Sequence, residues 1–203
     1  MIAGVLTLDW KDIQNLRITD PYSVHRAVYG LFADQRSEAQ KRSHIPSGFL
    51  YADKGGSRLS RTILFLSDRE PCQPSCGTVR TKAIPETFLQ HNCYAFEVVV
   101  NPTKRARSGN LVPITGRQNI IDWFNSKAQA WGFQCLRTEI QRVEVQQFKK
   151  REHCITLEKA SIKGVLKVLD RDTFIRSFQT GLGRGKAFGC GLLQIVPVQQ
   201  ISE

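Results

Sequence analysis

The sequence predicts an α+β fold of two tandem ferredoxin-like (RRM-like) domains, each with the element order β-α-β-β-α-β. Three observations support this prediction. Strand-like and helix-like segments follow nearly the same order twice along the 203 residues. Pro85 and the polar residues near His91 mark a joint between the two halves. A hydrophobic content of 41% is sufficient for two small cores. The predicted domains are therefore residues 1–90 and 91–203.

In the first half, one helix is predicted over residues 20–35, because Asp20 is a good N-cap and Pro21 suits the first helical position. A turn is predicted over residues 53–56. Two prolines lie in the segment 68–77, so the second helix of this domain is weak or missing. Alternating apolar residues predict strands over 3–10, 48–52, 59–67 and 77–83.

In the second half, helical apolar spacing predicts a helix over 118–131 and a short one over 172–178. The predicted strands are residues 94–100, 135–148, 154–169 and 192–196. An open sheet of this kind is the RNA-binding platform of RRM domains, but their aromatic signature run is absent here. Stacking of bases on the sheet is therefore not expected.

The charge predicts a polyanionic partner. The formal net charge is +11, and a chain this basic most often binds nucleic acid. The cations are unevenly placed, since no acidic residue lies between Glu97 and Asp122 or between Asp172 and Glu203. The alternative is a generally basic, solvated surface. A DNA-binding protein is less favoured because no recognition-helix motif is present.

Several classes of protein are not supported. The N-terminus lacks the cationic segment of a signal peptide, and no apolar run approaches the ~20 residues of a membrane span. The six cysteines show no zinc-finger spacing. We therefore expect a cytoplasmic protein with reduced thiols, no metal site, no cofactor and no membrane partner, monomeric when free.

A glycine-rich loop spans residues 181–191 and holds five glycines, two cations and no acidic residue. Its exposed N–H groups could form an anion-binding concavity, with the cations beside it. The spacing fits neither a nucleotide P-loop nor a dinucleotide fingerprint. The alternative is an ordinary glycine-rich bend. The predicted phosphate-binding residues are Gly181, Gly183, Arg184, Gly185 and Lys186.

The helix that begins at Asp20 has two faces. Its apolar residues share one side, whereas Tyr22, His25, Arg26 and Tyr29 stand at i, i+3, i+4 and i+7 on the other. This set suits RNA cleavage through the ribose 2′-hydroxyl. An imidazole can move protons near neutral pH, a phenol can assist it, and a guanidinium can stabilise the phosphate. A solvated histidine is the simpler alternative.

Three segments of the chain resemble the CasE family, the CRISPR repeat-processing endoribonucleases of the Cascade complex. They are the Asp-Pro-Tyr-x-x-His opening of this helix, the segment from Tyr94 to Thr103, and the loop from Gly181 to Leu193. The resemblance covers essentially the whole chain. It implies tandem ferredoxin-like domains and metal-independent cleavage of precursor CRISPR RNA at the repeat hairpin, leaving a 2′,3′-cyclic phosphate. It also implies that Tyr22 and His25 are the catalytic pair.

The spacing of other cations predicts further RNA contacts. Lys159, Lys163 and Lys167 would share a face of a strand, and would form an i, i+4 stripe on a helix. A second group, Lys104, Arg105 and Arg107, follows a strand end and could hold the RNA backbone. The expected partners are the repeat hairpin, before and after cleavage, and other Cascade subunits. The competing function is a non-catalytic RNA-binding subunit of a ribonucleoprotein.

Overall fold

Two compact units make up the chain in a computed structural model that describes residues 1–43, 47–57, 59–150 and 153–199. The first unit comprises Met1–Ile84 together with Ala187–Gly189. The second comprises Pro85–Lys186 and the chain from Cys190 onward. The division into domains 1–90 and 91–203 stays a prediction.

The first unit is a four-stranded antiparallel sheet with short helices. Its strands are β1 (Ile2–Asp9), β2 (Phe49–Gly56), β3 (Ser60–Ser67) and β4 (Thr78–Ala83), and its helices are α1 (Trp10–Asn15), α2 (Pro21–Tyr29) and α3 (Glu38–Arg42). The strand order is β2-β3-β1-β4. Val24 and Val28 of α2 are buried in one cluster with Leu6, Leu8 and Ile63 of the sheet. This packing fixes which side of α2 faces away from the core.

The second unit repeats the arrangement. Its main strands are β5 (Cys93–Val100), β8 (Phe133–Lys150), β9 (His153–Val168) and β10 (Gln194–Pro197), and the small hairpin of β6 (Thr103–Arg105) and β7 (Leu111–Pro113) lies between β5 and α4 (Arg117–Ala128) in sequence. Helix α5 (Arg171–Thr180) precedes the glycine-rich loop. The sheet order is β10-β5-β9-β8. Phe124 of α4 stacks on Phe96 of β5, with ring centroids 5.7 Å apart.

Both sheets confirm the predicted ferredoxin-like class. In each unit the first strand of the β-α-β-β order pairs with the third and the fourth, and all neighbouring strands are antiparallel. The missing helix of the first unit is also confirmed, because residues 68–77 form an irregular connection between β3 and β4. All six cysteines are free thiols. Within the described part of the chain, no helix is long and apolar enough to cross a membrane.

The predicted helix over 20–35 was too long, because α2 ends at Tyr29 with Gly30 as its C-cap. Gly has a low helix propensity. A longer helix would also carry Phe32 on the same side as His25, seven residues away. Instead, a turn closed by the Phe32 amide and the Tyr29 carbonyl places Phe32 in the core, 3% exposed.

Other predicted boundaries were also wrong. Trp10 begins α1 rather than ending a strand, because Asp9 and Asp12 form a capping box there. The turn predicted over 53–56 belongs to β2, where a register shift between Asp53 and Gly56 accommodates the glycines. Leu192 and Leu193 are buried but irregular, so the last strand begins only at Gln194.

Candidate active site

Helix α2, whose polar side carries His25, has a well-capped N-terminus. The Asp20 carboxylate accepts a hydrogen bond from the Ser23 amide at 2.7 Å, and Pro21 occupies the first turn. The buried residues Val24 and Val28 then set the rotation of the helix. This arrangement fixes where the side chain of His25 emerges.

His25 lies among aromatic rings. The ring of Tyr29, one turn later, is 3.9 Å away between centroids, and the ring of Tyr22, one turn earlier, is 5.9 Å away and nearly parallel. The ring of Phe188 from the glycine-rich loop is also 5.9 Å away. The predicted clustering of Tyr22, His25 and Tyr29 on one side of the helix is therefore confirmed.

The Nδ1 atom of His25 lies 2.7 Å from the carbonyl oxygen of Ala187. A carbonyl oxygen can only accept a hydrogen bond, so Nδ1 must carry the proton. In the neutral imidazole the lone pair is then on Nε2. The backbone of the glycine-rich loop thereby selects the tautomer of His25.

A second side chain uses the same acceptor. The hydroxyl of Tyr51 on β2 donates to the Ala187 carbonyl at 2.8 Å, and the residue is 2% exposed. Sequence reasoning missed both Ala187 and Tyr51. A backbone carbonyl has no sequence signature, but a tyrosine within the apolar run Phe49-Leu50-Tyr51-Ala52 indicates a buried hydroxyl that needs a partner.

Arg26 is exposed and lies beside Tyr22, as its spacing predicts. The guanidinium carbon is 5.7 Å from the centroid of the Tyr22 ring, a cation–π distance. Arg26 also lines a cavity of about 100 Å³ with Ser75 and Cys76 of the irregular connection. The Tyr22 phenol ring therefore has both the His25 imidazole and the Arg26 guanidinium as neighbours.

Most of the glycine-rich loop belongs to the second unit. Its ends are held by hydrogen bonds from the Leu182 amide to the Gly191 carbonyl and from the Gly191 amide to the Val99 carbonyl. Gly181, Gly183 and Gly185 all have positive φ angles. Arg184 is exposed and forms a β-bridge with Asn101, whereas burial lowers the pKa of Lys186. The predicted phosphate-binding role of these residues stays a prediction.

The other predicted cations fall into two groups. Lys104, Arg105 and Arg107 are exposed on the β6–β7 hairpin and its turn, where the Arg105 guanidinium donates to the Gly109 carbonyl at 2.8 Å. On β9, Lys163 and Lys167 are exposed, but Lys159 is only 8% exposed. The low exposure of Lys159 separates it from the other two lysines, and the RNA contacts of all three stay a prediction. Lys159 lies opposite Glu144 of β8 and close to the Cys190 thiol.

The described residues include no cluster of three or more His, Cys, Asp or Glu side chains arranged to hold a metal ion. Burial raises the pKa of the Cys190 thiol to about 11, which keeps this cysteine of the loop protonated near neutral pH.

Comparison with protein families identifies the chain. The sequence model of the family described as CRISPR associated protein matches residues 5–197. The chain belongs to the CRISPR-associated protein family. The comparison with curated proteins found no significant match.

Solved structures share the fold of this CRISPR-associated protein. The CRISPR endoribonuclease Cse3 bound to a 19-nucleotide RNA has a TM-score of 0.79 and 19% identity, covering 97% of this chain and 100% of that one. Cas6e of Escherichia coli K-12 has a TM-score of 0.73 and 20% identity, covering 98% and 100%. A chain of a CRISPR RNA-guided surveillance complex has a TM-score of 0.68 and 17% identity, covering 98% and 100%. The family match and this shared fold confirm the resemblance to CasE.

Proposed function

We propose that this protein is a metal-independent endoribonuclease that cleaves precursor CRISPR RNA at the repeat hairpin by attack of the 2′-hydroxyl. The observation that carries the proposal is the hydrogen bond from His25 Nδ1 to the Ala187 carbonyl, beside Tyr22 and Arg26. It gives the imidazole one defined basic nitrogen at the surface of the first unit. Two features support RNA as the substrate: the net charge of +11, and the RNA bound to the similarly folded Cse3.

The chemistry needs proton transfers at two oxygens. Nε2 of His25 and the Tyr22 hydroxyl share these tasks: one removes the 2′-hydroxyl proton and the other protonates the leaving 5′-oxygen. The Arg26 guanidinium stabilises the charge that develops on the phosphate. The 2′-oxygen forms a bond to phosphorus as the bond to the 5′-oxygen breaks. The products are a 2′,3′-cyclic phosphate and a 5′-hydroxyl.

The basic surface would also bind the RNA product. Exposed cations on the β6–β7 hairpin and on β9 would hold the RNA repeat hairpin after cleavage. We propose that the protein stays bound to the mature CRISPR RNA in the Cascade complex of the cytoplasm, and that it is monomeric when free. The similar chain in the RNA-guided surveillance complex supports this assignment.

The central experiment compares His25→Ala with His91→Ala under single-turnover conditions on a labelled repeat hairpin. His91 is the matched control, because it is exposed and packs on a tyrosine ring, that of Tyr94, in the second unit. His25→Ala should abolish cleavage and keep binding within a few-fold, whereas His91→Ala should cleave normally. Full cleavage by His25→Ala would refute the assignment. Tight binding without any cleavage by the wild type would favour the RNA-binding subunit.

The nucleophile is tested with a repeat RNA that carries one 2′-deoxy nucleotide immediately upstream of the cut. This RNA should bind normally and remain intact, because it lacks the attacking hydroxyl. Cleavage at the usual rate would show that water attacks instead. Cleavage of the normal RNA should also persist in excess EDTA. Loss of activity in EDTA that magnesium restores would overturn metal independence.

A further inference from the structure

Tyr51 and His25 donate to one and the same oxygen. The Tyr51 hydroxyl is 2.8 Å from the Ala187 carbonyl oxygen, and His25 Nδ1 is 2.7 Å from it. We propose that Tyr51 is a positioning residue for the cleavage reaction, because it fixes the carbonyl that holds His25 in the Nδ1–H tautomer. The proposal rests on the catalytic role of His25 given above.

The acceptor needs such an anchor. Ala187 lies in a single turn of 3-10 helix, Lys186–Phe188, between glycines on both sides. The flanking glycines leave the backbone free to adopt many conformations, so the direction of the Ala187 carbonyl has to be fixed by other contacts. Tyr51 holds the turn through its hydroxyl, which donates to the Ala187 carbonyl. A Cβ added to Gly189 would lie 3.1 Å from the Tyr51 ring, so there is little room between this ring and the glycine that follows the turn.

The anchor itself is rigid. Tyr51 is 2% exposed, and its backbone pairs with Phe65 in the middle of the β2–β3 ladder. Water has little access to compete for its hydroxyl. A carbonyl oxygen has two lone pairs, so it can accept from the phenol and from the imidazole at once. The sheet therefore sets the direction of the carbonyl, and the carbonyl sets the protonation pattern of the imidazole.

The tautomer of His25 affects the cleavage chemistry more than it affects folding. If the carbonyl moved away, the proton could occupy Nε2, and the lone pair would then be on Nδ1 on the other side of the ring. A neutral ring with its proton on Nε2 can neither accept the 2′-hydroxyl proton at that atom nor be the form that remains after Nε2 has protonated the 5′-oxygen. A residue that only stabilised the fold would change the melting temperature without changing the tautomer of His25.

The test is Tyr51→Phe, with Tyr94→Phe as the matched control. Tyr94 is also fully buried, and its hydroxyl also donates to a backbone carbonyl at 2.8 Å, that of Phe88 in the second unit. Both variants lose one buried hydroxyl, but only Tyr51→Phe affects the acceptor of His25. Thermal melts would check that both variants fold.

Two measurements are made on each variant. The ¹⁵N chemical shifts of His25 in the RNA-free protein report its tautomer, and single-turnover cleavage from pH 5 to 9 reports the rate and its pH profile. Tyr51→Phe should mix the tautomers, lower the cleavage rate about tenfold and alter the pH profile, with little change in the Kd for the hairpin. Tyr94→Phe should keep the wild-type tautomer, rate and profile.

Gly189→Ala provides a second variant that keeps the Tyr51 hydroxyl. Gly189 has a φ of +80°, which strains an alanine, and the added Cβ would lie 3.1 Å from the Tyr51 ring. The substitution should therefore displace the turn. It should also mix the tautomers of His25. Unchanged tautomer and pH profile in both Tyr51→Phe and Gly189→Ala would overturn the proposal. The tautomer is measured in the RNA-free protein, so this result does not depend on cleavage. If the proposed catalytic role of His25 is wrong, a separate result shows it, because His25→Ala would still cleave the RNA.

Discussion

The rings of His25 and Tyr29 lie 3.9 Å apart between centroids, with their planes inclined at 42°. Tyr29 in turn contacts Phe49 edge-on at 4.7 Å. Since Phe49 belongs to the core cluster of the first unit, Tyr29 connects the imidazole to the core. Two contacts therefore set the position of His25: the ring of Tyr29 from its own helix and the Ala187 carbonyl.

Tyr29→Phe should keep this contact, whereas Tyr29→Ala should remove it. We expect Tyr29→Phe to cleave the repeat hairpin at nearly the wild-type rate. Tyr29→Ala should lose about 2–4 kcal/mol of stability as a half-buried ring is removed, and about tenfold in rate. Urea unfolding and single-turnover cleavage would measure the two effects. Equal rates for both variants would show that the ring does not position His25.

Neutralising the β6–β7 hairpin should make RNA binding less sensitive to salt. Lys104, Arg105 and Arg107 are exposed, and each phosphate contact contributes about 0.7–0.9 to the slope of log affinity against log salt. Changing all three to glutamine should flatten that slope. The control is Lys127→Gln, a single exposed cation at the end of α4. An unchanged slope in the triple variant would show that the hairpin does not contact the RNA backbone.

Two lysines of β9 should behave differently because their burial differs. Lys159 is 8% exposed and lies opposite Glu144, whereas Lys163 is exposed. Lys159→Ala should lower the free energy of unfolding by about 1–2 kcal/mol and leave the salt slope of RNA binding unchanged. Lys163→Ala should change stability by less than about 0.5 kcal/mol and reduce the slope. The opposite pattern would show that Lys159 contacts RNA.

Substitutions within the glycine-rich loop should separate RNA binding from folding. A Cβ on Gly183 would meet nothing within 4 Å, so Gly183→Val strains the backbone at φ +67° and blocks close approach of a phosphate, but displaces no neighbour. We expect weaker hairpin binding with the fold retained. A Cβ on Gly191 would lie 2.6 Å from the Leu182 carbonyl oxygen, so Gly191→Ala should destabilise the protein. If the folded Gly183→Val variant bound the repeat hairpin with normal affinity, the loop would be an ordinary turn without a role in phosphate binding.

The loop cysteine should be chemically inert. Burial raises the pKa of Cys190 to about 11, so almost no thiolate is present near neutral pH, and its fraction increases only as the pH approaches that value. Iodoacetamide at pH 7.5 should label the exposed Cys72 and Cys154 well before Cys190. Mass spectrometry of timed samples would give the three rates. Labelling of Cys190 as fast as Cys72 would show that the loop opens readily.

Local signals in the sequence are sufficient to predict the fold class and the order of most elements. Apolar alternation and the cap at Asp20 are local signals, and they correctly predicted both sheets and the start of α2. The spacing of Tyr22, His25 and Tyr29 was also sufficient, because helical geometry alone places such residues side by side.

Three features become defined only in the folded chain: the end of α2, the exposure of the lysines on β9, and the hydrogen-bond acceptor of His25. Each of these depends on residues distant in sequence: Phe32 leaves the helix to enter the core, and Lys159 is buried close to Cys190. The acceptor of His25 is a backbone carbonyl 162 residues away, anchored by a tyrosine from a third segment. A backbone oxygen is the same in every residue, so its position, and with it the tautomer of His25, becomes defined only when the chain is folded.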